Sequence, residues 1–315
     1  MKQLGLAALS VLMTYIASQA QPSSEKTTKE INAPNFLVHQ QLTPEFIKVE
    51  YVAGLSHGVL KNGGQELSRF KVNSLTVSGY PLTLISKPQQ QLYMGFGYVQ
   101  DKYTFEDTND ALPILEQTFQ SVNLNIFLNT RIKGKYYWFS YVQGGLQGSH
   151  PFDEVKKSHS EIWLNKINYK ASRNMNVGVG VAYVSNLGKP MIVPAVAFVY
   201  SRPHYLVNID FPVKVEVEGI LARGKWRPVV GVSFPSNAYY VKSVNQYFNA
   251  SGLTGYVGTS YRLLDFLYVH AKWQTGLGET FKLGSRSDRD KIGTVEGQSR
   301  FLFSINVQVA RLISE

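Results

Sequence analysis

Apolar side chains recur at every second position over most of this chain. From Ser121 to Asn129, Val122, Leu124, Ile126 and Leu128 take one face, while Ser121, Asn123, Asn125 and Asn129 take the other. Val177, Val179, Val181 and Tyr183 alternate with Asn176, Gly178, Gly180 and Ala182. Val213, Val215 and Val217 alternate with Lys214, Glu216 and Glu218, and Leu267, Val269, Ala271 and Trp273 with Tyr268, His270, Lys272 and Gln274. Near the end, Phe301, Phe303, Ile305, Val307 and Val309 oppose Arg300, Ser304, Asn306 and Gln308. Period two is the period of a β-strand, whose successive side chains point to opposite faces. Each segment is therefore expected to be a strand with one apolar and one wet face.

Such strands could build a soluble sandwich or a membrane barrel. Three features favour the barrel. The segments run about 9–14 residues, near the ~9–11 that cross a bilayer when tilted and longer than the soluble mode of ~5–6. Tyr and Trp gather near segment ends, at Tyr103, Tyr136, Tyr137, Trp138, Tyr200, Tyr205, Trp226 and Tyr268, where interfacial girdles are expected. Short and long links alternate except at Leu187–Lys189 and Pro212, which would be tight outer turns. Strands are expected near 45–56, 68–79, 91–103, 117–130, 135–146, 160–171, 175–186, 190–200, 204–211, 213–222, 226–234, 249–263, 267–278 and 298–310. The long links are then 57–67, 104–116, 147–159, 235–248 and 279–297. This is an all-β, antiparallel transmembrane β-barrel of about twelve to fourteen strands, the larger even number preferred, with both termini on the short-turn side. The division at Pro212 is the one on which the parity depends.

Composition agrees. Charged residues make up only 17% of the 315 residues and aromatics 13%, while the mean hydropathy of −0.14 is far too low for a bundle of membrane helices. The absence of Cys excludes a disulfide framework, thiolate metal sites, a Cys nucleophile and a Cys-anchored lipoprotein.

The first twenty residues read as an export signal. Lys2 precedes an apolar core from Leu4 to Ile16, and Ser18-Gln19-Ala20 supplies small residues for cleavage after Ala20. Removing Lys2 lowers the formal net charge of +10 by one. The expected organisation is a signal peptide over 1–20, a flexible periplasmic arm over 21–44 containing Pro22, Ser23, Ser24 and Pro34, and one barrel domain over 45–315. The destination is the cell outer membrane.

From about Phe46 to Leu312 the sequence resembles the uncharacterised outer-membrane β-barrel family of Bacteroidota, a domain of unknown function. The residues that carry the likeness are Val193-Pro194, Phe198-Val199-Tyr200, Phe211-Pro212, Lys225-Trp226, Gly231 and Gly276, with an aromatic-rich last strand. The resemblance implies an outer-membrane barrel with no established activity. One departure is that the chain ends Ala310-Arg311-Leu312-Ile313-Ser314-Glu315, without the terminal aromatic residue that barrel assembly usually reads.

Catalytic and cofactor motifs fail one by one. Gly134-Lys135, Gly188-Lys189 and Gly224-Lys225 lack the Ser/Thr of a P-loop, and Gly95-Phe-Gly97 and Gly178-Val-Gly180 lack the third glycine of a dinucleotide turn. No G-x-S-x-G elbow is present. His150 and His159 share a loop without ligand spacing, and Glu106 to Asp110 lacks the central Gly and terminal Glu of a calcium loop. No cofactor, metal or catalytic residue is therefore expected.

The informative chemistry lies on the wet face. If apolar residues meet lipid, then Lys48, Glu50, Asn123, Asn125, Lys214, Glu216, Glu218, His270, Lys272 and Gln274 line the lumen. Such a lumen would either conduct small solutes or be closed by its own ion pairs. The expected function is a non-enzymatic channel or envelope-structural barrel. The alternatives are a barrel-embedded lipid-modifying enzyme and a soluble periplasmic β-protein holding an apolar ligand. Expected partners are outer-membrane lipid, lipopolysaccharide phosphates met by loop Lys and Arg, and, during biogenesis, periplasmic chaperones and the barrel-assembly machinery. Nucleic acid is not expected, because the aromatics belong to the wall and the basic loops are interrupted by acids.

Overall fold

The computed structural model describes residues 45–87, 89–107, 116–187, 190–264, 266–285 and 289–307. The expected export signal, the arm and the chain end beyond 307 lie outside the described residues. Strands dominate: β1 (Ile47–Gly54), β2 (Gly58–Asn62), β3 (Gln65–Lys87), β4 (Gln90–Asp107), β5 (Glu116–Lys133), β6 (Tyr136–Gly148), β7 (His159–Lys170), β8 (Met175–Asn186), β9 (Met191–Ser201) and β10 (Tyr205–Phe211). They continue with β11 (Lys214–Gly219), β12 (Trp226–Ser233), β13 (Ser236–Val241), β14 (Gln246–Ser251), β15 (Thr254–Leu264), β16 (Leu267–Gly276), β17 (Glu279–Gly284), β18 (Arg289–Glu296) and β19 (Ser299–Val307). One helical turn, α1 (Val155–Ser158), follows β6.

Among the described residues nineteen strands form one sheet, and all but β2, β13, β14, β17 and β18 close into a wall. Fourteen remain. In wall order they are β1, β3 to β12, β15, β16 and β19, each antiparallel to the next. β19 then returns to β1, pairing Ile47 with Val307 and Gly54 with Arg300. Closure removes every sheet edge. The hairpin through Pro212 is real, since Asp210 pairs with Lys214 across it. The tight β10–β11 turn at Pro212 lies on one rim, while both described ends of the chain lie on the other with most of the short turns. At that rim Gly134, with φ of +55°, makes the β5–β6 turn that a side chain would strain.

The wall is apolar outside and polar inside, the arrangement of a transmembrane barrel. Leu124, Ile126, Ile167, Val179 and Val181 are exposed on the outer face. Exposed aromatics flank this belt: Tyr136, Trp138, Tyr169, Tyr205, Trp226 and Tyr261 near the short-turn rim, and Trp163, Phe211, Phe234 and Trp273 near the other. Tyr103 and Tyr268, expected in a girdle, are instead buried. The reason is parity: Tyr103 is in phase with the inward Asp101, and Tyr268 with the inward His270 and Lys272.

The long links are the main correction. Those over 57–67, 235–248 and 279–297 contain β2, β13, β14, β17 and β18. The expected strand over 249–263 is divided, its first residues belonging to β14 and the rest to β15. These extra strands form a narrower second ring above the barrel. β2 pairs with the upper part of β3, β18 with β2, β17 with β18, β14 with β17, and β13 with β14. A single parallel bridge, Tyr240 to Gly148, joins β13 to β6 and closes the ring through β3–β6.

This ring has a dry interior. Leu60, Phe70, Val72, Tyr103, Phe105, Phe119, Tyr239, Val241, Phe248, Phe281 and Val295 pack together there. Phe119 stacks on Tyr239 at 4.6 Å and on Phe248 at 5.5 Å, and Phe70 meets Phe281 at 4.8 Å. Each such ring contributes about 1.5–3 kcal/mol by leaving water. β13 is buried on both faces: Ala238 and Tyr240 pack with Leu187 and Tyr247 on the other side. The β13–β14 hairpin thus crosses the outer mouth of the barrel as a lid.

Candidate functional site

Within the wall lies a chamber of about 520 Å³, lined mostly from the short-turn half of the strands and by no residue of the β13–β14 hairpin. Strand alternation turns five acids into it (Glu45, Glu50, Asp210, Glu216, Glu218) and five bases (Lys48, Lys166, Lys214, Arg227, Lys272). Its formal charge balances. Burying charges singly is costly, and most of these are paired. Lys48 Nζ lies 2.5 Å from Glu50, Lys166 Nζ donates to Asp210 Oδ1 at 2.8 Å, and Lys214 pairs with Glu216. Tyr256 donates its hydroxyl to Glu216 Oε2 at 2.9 Å, Asn208 donates to Glu216 Oε1 at 3.1 Å, and Asn306 Nδ2 donates to Glu45 at 2.6 Å.

Small residues make these reaches possible. Lys166 of β7 and Asp210 of β10 are separated by β8 and β9. Lys166 stands opposite Gly180, and Asp210 opposite Ala197, which itself pairs with Gly178. The glycines and alanines of these two strands leave the inner surface low enough for the ion pair to span it. Gly231 does the same for Tyr256, whose hydroxyl would lie 2.7 Å from a Cβ there. Gly258 does so for Lys272, whose Cγ would lie 2.6 Å from a Cβ. The amine of Lys272 then sits 4.6 Å from the centre of the Tyr256 ring.

Of the ten expected lumen residues, Lys48, Glu50, Lys214, Glu216, Glu218, His270 and Lys272 line this chamber. Asn123 and Asn125 are buried on β5 away from its lining; Asn123 Nδ2 donates to Ser121 at 3.0 Å, and Asn125 accepts from Tyr141 at 3.3 Å. Gln274 stands opposite Arg300 and is not part of the chamber lining. Lys166, Asp210, Arg227 and Glu45 were not anticipated, nor were Tyr80, Phe127 and Phe139, which line the chamber from β3, β5 and β6. The usable signal was the inward parity of Lys166 and Asp210 next to the small-residue repeats Gly178-Val-Gly180 and Ala195-Val-Ala197.

Polar contacts fasten the lid to the wall. Tyr239 of β13 donates to Asp101 of β4, and Asn237 Nδ2 reaches the same carboxylate at 3.4 Å. Arg300 of β19 donates to Glu279 of β17 at 2.6 Å, and Thr254 to Glu279 at 3.3 Å. On the outer surface Lys242 Nζ donates to Asp153 Oδ2 at 2.8 Å, and Lys157 Nζ to Tyr240 at 3.2 Å and Asn245 at 3.1 Å. The hydrogen bond from Lys242 holds the Asp153 carboxyl below the usual aspartate range. Burial and the neighbouring Asp101 push the Tyr239 hydroxyl far above the usual tyrosine range, so it stays protonated as a donor.

One Ser–His pair occurs in the chamber: Ser260 Oγ lies 2.6 Å from His270 Nδ1. A hydrolytic triad also needs a carboxylate on the second imidazole nitrogen. Among the described residues His270 Nε2 has no hydrogen-bond partner. Nor does any group of three or more His, Cys, Asp or Glu among them form a metal site.

No curated protein matches the sequence. Among solved structures, the chain is similar to a deltaS2 mutant of the TodX monoaromatic hydrocarbon channel, at 8% identity over 84% of this chain and 90% of that one, with a TM-score of 0.44. It is also similar to the toluene transporter TodX of Pseudomonas putida (10% identity, 91% and 95% covered, TM-score 0.33) and to the KdgM porin with disordered oligogalacturonate (6%, 83% and 99%, TM-score 0.34). Residues 90–288, more than half the chain and most of the wall and lid, match the family described as Domain of unknown function (DUF6268). The chain belongs to that family.

Proposed function

We propose that this protein is a non-enzymatic outer-membrane conduit for small solutes, with its outer lid closed in the present structure. The observation that carries this reading is the contrast between the two storeys: a polar, charge-balanced chamber below and an aromatic-packed ring across the mouth above. A purely structural barrel has no need of such a chamber, whereas a gated path requires a wet compartment and a closure. The β13–β14 hairpin is tied inward by Tyr239 and Asn237 to Asp101 and at the surface by Lys242 to Asp153 and by Lys157 to Tyr240 and Asn245. Moving the β13–β14 hairpin aside would open the upper mouth of the wall that holds the chamber.

The apolar belt and its two aromatic girdles support insertion in a bilayer. The basic leader and small-residue cleavage site at 1–20 support export to a Gram-negative outer membrane, of the Bacteroidota kind by the resemblance noted above. Loop lysines such as Lys156 and Lys242 would face lipopolysaccharide phosphates. Chaperones and the assembly machinery would be partners only during insertion.

The test is conductance of the purified full-length protein in planar bilayers. Wild type should show rare openings, and Asp101→Asn and Tyr239→Phe should raise the open fraction. Background current from wild type and both variants at every voltage would exclude a conduit.

A further inference from the structure

We infer that the chamber is a binding site for a small amphipathic zwitterion, such as an α-amino acid with an aromatic side chain. The inference deepens the conduit reading by naming the class of solute.

The first observation is an opposition set by strand order. In the closed wall of fourteen, β4, β5 and β6 stand half a turn from β11, β12 and β15. The first arc, with neighbouring β3, brings Tyr80, Phe127 and Phe139 to the chamber. Phe127 sits between the other two, 6.3 Å from Tyr80 and 5.0 Å from Phe139, both edge-on. The facing arc brings Glu216, Glu218 and, from the next strand, Lys272. One side of the chamber is therefore mainly aromatic, with the Lys166 amine 4.6 Å from the centre of the Phe139 ring, and the other is mainly charged.

The second observation is which charges remain uncommitted. Lys48, Lys166 and Lys214 each have a carboxylate partner. Arg227 lies over the Tyr268 ring. Glu45 also lacks an ion-pair partner but accepts a hydrogen bond from Asn306 Nδ2 at 2.6 Å. Among the described residues Glu218 and Lys272 have neither an ion-pair partner within 4.0 Å nor a side-chain hydrogen bond, the Lys272 amine lying over the Tyr256 ring, and they are one of each sign. They belong to one rung of the sheet, which runs Glu218, Val229, Gly258, Lys272 across adjacent strands. The stem of Lys272 lies over Gly258 on that rung, and its amine sits 4.6 Å from the centre of the neighbouring Tyr256 ring. A solute that supplies a carboxylate to Lys272 and an ammonium to Glu218 completes both, and its apolar body falls on the aromatic side, toward Phe127. A net anion or a net cation satisfies only one of the two and leaves the other half-buried and without a partner.

The experiment is equilibrium dialysis of radiolabelled L-phenylalanine against the full-length protein in detergent, where both rims are accessible. Saturable binding is expected. Unlabelled phenylalanine should compete roughly tenfold or more better than N-acetylphenylalanine, phenylalanine amide or glycine, each of which lacks one of the three recognised features. Glu218→Gln and Lys272→Met should each weaken binding roughly tenfold, with heat-modifiable gel migration confirming that the barrel has formed. Absence of saturable binding, or equal competition by the four compounds, overturns the inference, and the competition series needs no variant to fold. If binding is absent while Asp101→Asn and Tyr239→Phe conduct, the site falls and the conduit stands. If binding is specific but neither variant conducts, the site stands and the conduit falls.

Discussion

The hydroxyl of Tyr239, at the centre of the lid hairpin, donates a hydrogen bond to the carboxylate of Asp101 in the barrel wall. The two residues are 138 positions apart and both are buried, so this contact joins the lid to the wall below it. Tyr239→Phe keeps the ring stacked on Phe119 and removes only the donor. The Asp101 carboxylate then loses a buried partner at a cost of about 1–3 kcal/mol. The expected result is faster proteolysis within 236–251 and a higher open fraction in bilayers, with the wall intact. Unchanged proteolysis and conductance would mean the lid is held by its apolar packing alone.

Phe119→Ala removes a ring that stacks on both Tyr239 and Phe248. A truncation of this kind costs about 3–5 kcal/mol. Because the cavity opens in the upper ring, hydrogen exchange should rise in β13, β14 and β17 while β8 and β9 keep their protection. Uniform loss across all strands would show that lid and wall unfold as one unit.

Gly180→Ala and Gly144→Ala should differ sharply. A Cβ at Gly180 would lie 1.9 Å from the carbonyl oxygen of Asn165 and 2.7 Å from Lys166 Cα, whereas one at Gly144 meets nothing within 4 Å. Overpacking at the first site should cost about 1–3 kcal/mol and disturb the Lys166–Asp210 pair. The second should be neutral. Thermal or urea unfolding in detergent would rank them, and equal stability of the two variants would remove the role given to small residues on β8.

Leu124→Arg and Val179→Arg place a charge on the exposed apolar belt. At the bilayer midplane each should cost about 2–4 kcal/mol. Less folded protein should reach the membrane fraction than for the inward Asn125→Ser. Normal recovery of both arginine variants in a detergent-free soluble extract would show that the belt does not face lipid.

The Asp153–Lys242 pair gives a pH dependence of known sign. The Asp153 carboxyl is held below its ordinary value in the folded protein by the Lys242 hydrogen bond. Its stabilising contribution is therefore complete above the ordinary aspartate range and is lost as pH falls through the depressed folded value. In neutral solution Asp153→Asn should make the β13–β14 tip more open to protease than wild type. In acid below that value the two proteins should behave alike. A difference that persisted in strong acid would assign the effect to something other than this ion pair.

The alternation of Val177, Val179 and Val181 with Asn176, Gly178 and Gly180 was enough to place β8 at its observed bounds, and the Phe211-Pro212 turn was enough to separate β10 from β11. The strands over 57–67, 235–248 and 279–297 escaped notice because they are short and because β13 buries both faces, which erases the alternation. Tyr239 and Tyr240 are adjacent yet both buried, in two different clusters.

Period-two patterning is a local property, and so the chain by itself determined the barrel class and the preferred number of wall strands. Closure then decided what the inward residues meet. Lys166 finds Asp210 across two intervening strands, Phe127 faces the charged arc half a turn away, and Tyr239 reaches Asp101 from a lid. None of these partners is near in sequence. Their meeting depends on strand order, stagger and the space left by glycines, which exist only once the sheet has closed.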